Sequence, residues 1–432
     1  RKGGRAMNIP SQQRNAGSMR AILILDTSYT LKMFRERQLE QALESRKLGG
    51  YFDRVISVHP LAGLFESGDG RFGDPVITEL DDTHVFVEGK IGINSAWRFL
   101  PPLNLLLAQL RLVRLLREMA REVRVDVVRI GDPYYLGLMG WVLSRLLRVP
   151  LAIRVCFNYD QFFETTKKAV FPRLFGFRFI EKLIERFVFP RCALVAGANQ
   201  NNLDYALANG AAQKNGVVFR YGNLIHPIHF IDPSARRSGA HLLREIGVEG
   251  DFMATVSRLE KMKQPEQNLL VLKKLHELGH DINFVFIGDG AMRAELEEMV
   301  EEFNLVGNVF FAGNRSQEWI AEVLPEARLV LSPHMGRGLT EAGLAGAPIV
   351  AYDYDWQGEI IRSGETGELV PDLAWEKMAD AVEYFLTNPK HARAMGDAVR
   401  KRAMEMMDPE TLDQYERETY LKLFSDVSQI AL

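Results

Sequence analysis

Cysteine is scarce in this chain of 432 residues. Two thiols, Cys156 and Cys192, cannot build a disulfide framework; they fit a reducing compartment or burial. Long apolar runs are missing as well. None reaches the ~18 residues of a membrane-spanning helix, and the nearest, residues 133–153, is broken by Arg145 and Arg148. Residues 1–18 have basic side chains but no apolar segment of a signal peptide, so they read as a mobile tail with the fold starting at 19. Net charge is small, −3, and the composition of 47% apolar and 25% charged residues excludes disordered and collagen-like classes. At about 150 residues per domain, the length suggests two or three domains.

The small net charge hides an asymmetry. Residues 1–230 carry 32 Lys and Arg against 21 Asp and Glu, and residues 231–432 carry 21 against 35. Two halves of opposite sign suggest two domains. The basic half suggests a phosphate or anionic-surface partner, or simply attraction between the halves.

Short β-branched runs alternate with helical patterns throughout. Strands are predicted at 20–26, 52–59, 83–89, 125–130, 150–155, 193–198 and 217–219, with helices at 32–48 and 103–124. The second half repeats the scheme, with strands at 252–257, 282–288, 308–313, 328–333, 348–352 and 367–370 and helices at 264–278, 291–303, 339–345 and 374–387. The alternation predicts an α/β fold of two doubly wound Rossmann-like domains, 19–230 and 240–410, joined by a linker at 231–239. Ligands in such sheets bind beyond the C-terminal strand ends, so a cleft between the domains is the expected site. Residues 411–425 form a further helical pattern after Asp408-Pro409.

Several ordered segments resemble the retaining glycosyltransferases of family 4, which have the GT-B fold. Ser257-Arg258-Leu259, with Lys263 downstream, is similar to the G-R-L-x-x-x-K-G segment, and 284–296 (FVFIGDGAMRAEL) to the strand and G-x-G-x-x-x-x-L that follow. NVFFAGN (308–314), ending in Asn314, resembles the strand entering the base-binding loop. Residues 331–353 resemble the donor signature with E-A-x-x-x-G-x-P intact, and 356–367 resemble G-x-P-E-I-V-x-x-G-x-x-G. The likeness covers about 250–395 well and the rest, from residue 19, loosely. It implies that segment 411–432 crosses back as a helix onto the N-terminal domain.

The residues support the same chemistry. A nucleoside diphosphate leaves with added negative charge, which fixed cations stabilise without a metal; Arg258 and Lys263 are the candidates, the alternative being two solvated surface charges. Gly336-Arg337-Gly338, followed by Leu339 and Thr340, opens a helix whose N–H groups suit phosphate oxygens; the alternative is an ordinary turn. Glu341 corresponds to the family's ribose-binding acid, although acids are also favoured near helix starts. Counting back eight residues from Glu341 gives Pro333, so the first Glu of the family's Glu-x7-Glu pair is missing. His334 either takes over a sugar-hydroxyl contact or merely lines the loop, and Arg337 is a second candidate to compensate. Asp355, Trp356 and Gln357 are carbohydrate-reading residue types, or else a surface turn with a buried Trp anchor. In the N-terminal half Tyr29, the Asp132-Pro133-Tyr134-Tyr135 loop, Asn158 and Tyr159 are either acceptor contacts or helix caps and turns. His226 and His229 have no acid or thiol neighbours that would complete a metal set.

Residues 97–191 hold 17 Lys and Arg against 8 Asp and Glu, and within them 171–191 interleaves Phe, Leu and Ile with Arg and Lys. This suits a monotopic helix on an anionic membrane, or an amphipathic core helix with a basic outer face. Nothing in the sequence carries a nucleic-acid motif. The expectation is a metal-independent, cytoplasmic, or peripherally membrane-bound, retaining hexosyltransferase without cofactor. Its donor is a nucleotide-sugar, UDP- or GDP-linked, and its acceptor a saccharide or lipid-linked saccharide of envelope or exopolysaccharide synthesis. The alternatives are an epimerase or phosphorylase on the same fold, or a non-catalytic sugar-nucleotide-binding subunit.

Overall fold

The computed structural model describes residues 19–36, 39–97 and 99–430; the tail expected at 1–18 lies outside them. The chain divides into two compact units. The first runs as far as Arg154 and includes 191–194 and the residues from Thr419 on; the second takes 155–190 and 195–418.

In the first unit lie β1 (Ala21–Leu25), β2 (Arg54–His59), β3 (Val76–Glu79), β4 (His84–Glu88), β5 (Val127–Ile130) and β6 (Leu151–Val155). They stand in the order β3-β4-β2-β1-β5-β6, parallel except for β3. The sequence pattern misses β3, because Val76 and Ile77 are exposed and give it no buried face to reveal an alternation. Every residue of β1 is buried, as a strand covered on both faces requires. Helix Pro101–Glu122 turns Ala108, Leu112, Leu116 and Ala120 inward at helical spacing. The longest apolar run becomes the core helix Tyr135–Leu147 followed by β6. No described helix is long and apolar enough to cross a membrane. The single helix expected at 32–48 is instead Leu31–Glu36, Glu40–Glu44 and a 3₁₀ turn Ser45–Lys47. That turn carries Arg46 inward to Asp26, 2.7 Å from its carboxylate.

In the second unit β7 (Leu194–Gly197), from Val195 on, pairs in parallel with β8 (Gly216–Val218). A second sheet comprises β9 (Phe252–Val256), β10 (Asn283–Ile287), β11 (Val309–Gly313), β12 (Leu329–Ser332), β13 (Ile349–Asp353) and β14 (Glu368–Pro371). Its order is β11-β10-β9-β12-β13-β14, and every pairing is parallel. This is the doubly wound arrangement in which the chain starts in the middle and reverses direction between β9 and β12. Neighbouring residues of β12 serve opposite cores. Val330 packs with Leu339 and Ala342, and Leu329 and Leu331 pack with Leu269 and Met378. Residues 231–239, read as a linker, lie inside this unit. There Arg236 donates to the carbonyls of His229 (2.6 Å) and Ala321 (2.9 Å).

Candidate functional site

The reversal between β9 and β12 leaves a crevice at their C-terminal ends, where ligands of such sheets bind. The loop after β9 carries Arg258 and Lys263. The loop after β12 carries His334, Gly336 and Arg337, and the loop after β13 carries Tyr354, Asp355 and Trp356. The geometry of these loops follows from close backbone approach. A Cβ on Gly338 would lie 2.3 Å from the Val256 carbonyl oxygen, so glycine lets the start of helix Arg337–Leu344 sit against the end of β9. Gly288, at φ +134°, touches the Ser257 carbonyl in the same way. Gly336 has open space around its missing side chain, so packing does not explain it.

His334 is buried and joins two loops. Its Nδ1 lies 2.8 Å from the Met262 carbonyl and its Nε2 3.2 Å from Asp355 Oδ2. The imidazole also packs edge-on to Tyr354 at 4.9 Å. Both ring nitrogens face protein acceptors, so His334 links the loop after β9 to the loop after β13. Asp355, left-handed at φ +55°, accepts 2.6 Å from Asn201, which also reaches Gln161 (2.9 Å) and accepts from Asn158 (3.2 Å). A chain of amides thus runs from Asn158 to the carboxylate beside His334. Asn201 was not singled out in the sequence, since its partner lies 154 positions away and no local spacing signals it.

The Lys263 side-chain amine makes no hydrogen bond or ion pair among the described residues. Burial lowers its amine to about 8, Asp355 raising it and Arg258 lowering it further. Arg258 is exposed and pairs with Glu260 at 2.8 Å. Arg337 is exposed, and Glu341 is 4% exposed; neither side chain has a hydrogen bond or ion pair among the described residues. Burial pushes the Glu341 carboxyl up, and Arg337 partly offsets this. Asn314 stands exposed after β11.

Trp356 and Gln357 need correction as sugar-reading residues. Trp356 is 3% exposed and packs in the core at 5.8 Å from Tyr221, so its ring offers no open face. Gln357 is fully buried. Its amide nitrogen donates to the carbonyls of Tyr352 (2.9 Å), Pro333 (3.1 Å) and Ser332 (3.2 Å), and its oxygen accepts from Met335 N–H (3.2 Å) and the Ser332 hydroxyl. Gln357 therefore staples the β12 loop to β13 and has nothing left for a sugar. The Leu339 side chain is in the core and its N–H donates to Gly336, while Thr340 is buried. Asn158 caps helix Tyr159–Thr166, and Tyr159 packs against Phe157 and Tyr205. Tyr29 belongs to the first unit, edge-on to Phe34. Asp132 caps its own turn by accepting from Tyr134 N–H at 2.8 Å. His229 bonds to Gln317 at 2.9 Å and His226 accepts from Ile228 N–H. Among the described residues no three His, Cys, Asp or Glu side chains gather as a metal site.

Residues 244–402 match the family model for glycosyl transferases group 1. The chain is 26% identical over 316 residues to an alpha-D-kanosaminyltransferase of Streptomyces kanamyceticus, covering 72% of this chain and 79% of that one. It is 21% identical over 292 residues to a Campylobacter jejuni N-acetylgalactosaminyltransferase named for a diphospho-undecaprenol acceptor, covering 66% and 74%. Among solved structures, sucrose-phosphate synthase of Thermosynechococcus elongatus superposes with a TM-score of 0.70 at 16% identity, covering 94% of this chain and all of that one. The Anabaena protein HepE, in complex with UDP and glucose, gives 0.66 at 18% identity, covering 93% and 100%. The fold of the chain is that of the GT-B glycosyltransferases.

Proposed function

We propose that this chain, a glycosyltransferase by the likeness of residues 244–402 to group 1, moves a sugar with retention from a nucleoside-diphosphate donor to a saccharide or lipid-linked saccharide hydroxyl of envelope or exopolysaccharide synthesis. One observation carries the reading. Unpartnered Lys263, Arg337 and buried Glu341, with Arg258, share the loops and helix start at the reversal of a doubly wound sheet. Lys263, Arg258 and Arg337 suit the diphosphate, and Glu341 suits the ribose hydroxyls. In the retaining step the bond from the anomeric carbon to phosphate oxygen breaks and its electron pair goes to that oxygen. The acceptor oxygen bonds the carbon from the same face, and its proton passes to the departing phosphate. Fixed cations stabilise the leaving group in place of a metal, so activity should survive EDTA. Asp355, held by His334 and Asn201, takes the place of the missing first Glu of the signature near the donor sugar. A UDP-linked donor is favoured by fold neighbours solved with UDP. A lipid-linked acceptor would make an anionic membrane surface a further partner.

The test is a transfer assay beside nucleotide binding. Arg258→Ala and Lys263→Ala should each lower turnover by about 10²–10³-fold with unchanged melting temperature, through loss of a charge-stabilising group. Glu341→Gln should weaken UDP binding. Near-normal turnover in both cation variants, or loss of activity in EDTA with rescue by Mg²⁺, would overturn this assignment.

A further inference from the structure

Helix Arg178–Val188 is built inside out. A helix on a soluble protein turns its apolar side inward and its charges outward. Here Arg178, Glu181 and Glu185 are buried, and Lys182 is turned inward with them. Arg178 pairs with Glu185 (2.7 Å), Asp160 (2.8 Å) and Glu181 (3.2 Å), while Lys182 bonds Asp160 (2.8 Å) and Asn209. Glu181 also accepts from the Phe171 N–H at 2.7 Å. The outward side carries Phe179, 63% exposed, and Leu183, 60% exposed, preceded by Phe177 at 66% and Leu174 at 41%. The two phenyl rings stack on each other at 5.9 Å. Rolling the helix over would bury these rings, but it would break a paired cluster of buried charges, whose disruption is strongly destabilising. The polarity of this face is therefore locked.

The charges around the apolar face indicate its occupant. Phe179, Leu183 and exposed Arg186 follow at i, i+4 and i+7 on one side of the helix, and Lys167 and Lys168 are exposed in the loop that follows helix Tyr159–Thr166. Glu164 is the single exposed acid among the described residues from 160 to 190. We propose that this face docks onto an anionic lipid surface. Leu174, Phe177, Phe179 and Leu183 enter the boundary between headgroups and acyl chains, and Lys167, Lys168 and Arg186 meet the anionic headgroups. A second copy of the chain fits less well, because a two-fold contact would bring the same basic rim against itself. The inference deepens the membrane-partner element of the proposed function and rests on it only there.

The experiment is sedimentation of the intact protein with vesicles of phosphatidylglycerol and phosphatidylcholine, or of phosphatidylcholine alone. The protein should bind the anionic vesicles, less so at high salt. Phe177→Glu with Phe179→Glu should reduce binding by about tenfold or more. Lys167→Glu with Lys168→Glu should reduce it by about tenfold or more as well, since each cation near the surface is worth about a factor of five. Each variant should keep the melting temperature and the stabilisation by UDP of the parent. Absence of binding to anionic vesicles, or equal binding by the Phe variant, would overturn the proposal. So would a dimer in solution that the Phe variant dissolves, or binding lost instead through Leu106→Glu with Leu110→Glu, two exposed residues on helix Pro101–Glu122. Failure of glycosyl transfer with intact vesicle binding would count against the function and leave the docking surface standing.

Discussion

Asp132 is a buried carboxyl of the first unit whose protonation bears on stability. It stands at the end of β5, 5% exposed, and burial raises its pKa to about 7 against the pull of the Tyr134 and Leu136 amides, with Asp26 raising it further. The folded state thus binds its proton more tightly than the unfolded chain. Its neutral form carries no penalty below the unfolded value near 4, and stability falls by roughly 1.4 kcal/mol per pH unit between there and about 7. Asp132→Asn keeps the acceptor for Tyr134 and cannot ionise. It should raise the melting temperature at pH 8 and change it little at pH 4; equal shifts at both would refute the charge argument. At this scale the sequence was legible for placement: Lys263, five positions after Arg258, and Glu341, inside E-A-x-x-x-G-x-P, stand in the loop after β9 and the helix after β12, and their chemistry belongs to the proposed function. It misled where residue type outran burial. Trp356 and Gln357 are carbohydrate-reading types, yet one fills a core and the other holds a loop.

Elements were more legible than residues, because both sheets are built of buried β-branched runs whose helices alternate with them. The edge strand β3 escaped because it buries nothing, and the polarity of Arg178–Val188 escaped because composition does not say which side faces in. The two glycines at the start of helix Arg337–Leu344 separate packing from binding. Gly338→Ala places a methyl against the Val256 carbonyl, and backbone cannot move aside as a flexible side chain can. It should cost about 1–3 kcal/mol, read as a lowered melting temperature without ligand. Gly336→Ala meets nothing within 4 Å and should leave that temperature nearly unchanged while weakening UDP binding, if phosphate approaches the backbone there. Equal melting temperatures for the two variants would show that the helix start is not pinned to β9.

At the scale of the whole molecule, the last helix contributes residues to both units. Helix Pro409–Ile430 begins among residues of the second unit, where Asn223 donates to Asp413 at 2.9 Å and Phe219 lies edge-on to Tyr415 at 5.9 Å. From Thr419 on it belongs to the first unit, where Tyr420 is 1% exposed and packs edge-on to Phe52 at 5.2 Å. The apolar spacing of 411–425 made a helix legible, but the partner of Tyr420 was not, since Phe52 is hundreds of positions away and only the fold brings it near. Truncating a buried aromatic side chain to alanine costs about 3–5 kcal/mol, a large share of a domain's stability. Tyr420→Ala should therefore lower the melting temperature by several degrees, and deletion of 411–432 should lower it further and reduce turnover with it. Phe52→Ala should reproduce most of the Tyr420→Ala loss, and the double variant should fall short of the sum, because the two rings share one contact. A deletion with unchanged melting temperature and turnover would make the segment a loose tail and remove it from the working enzyme.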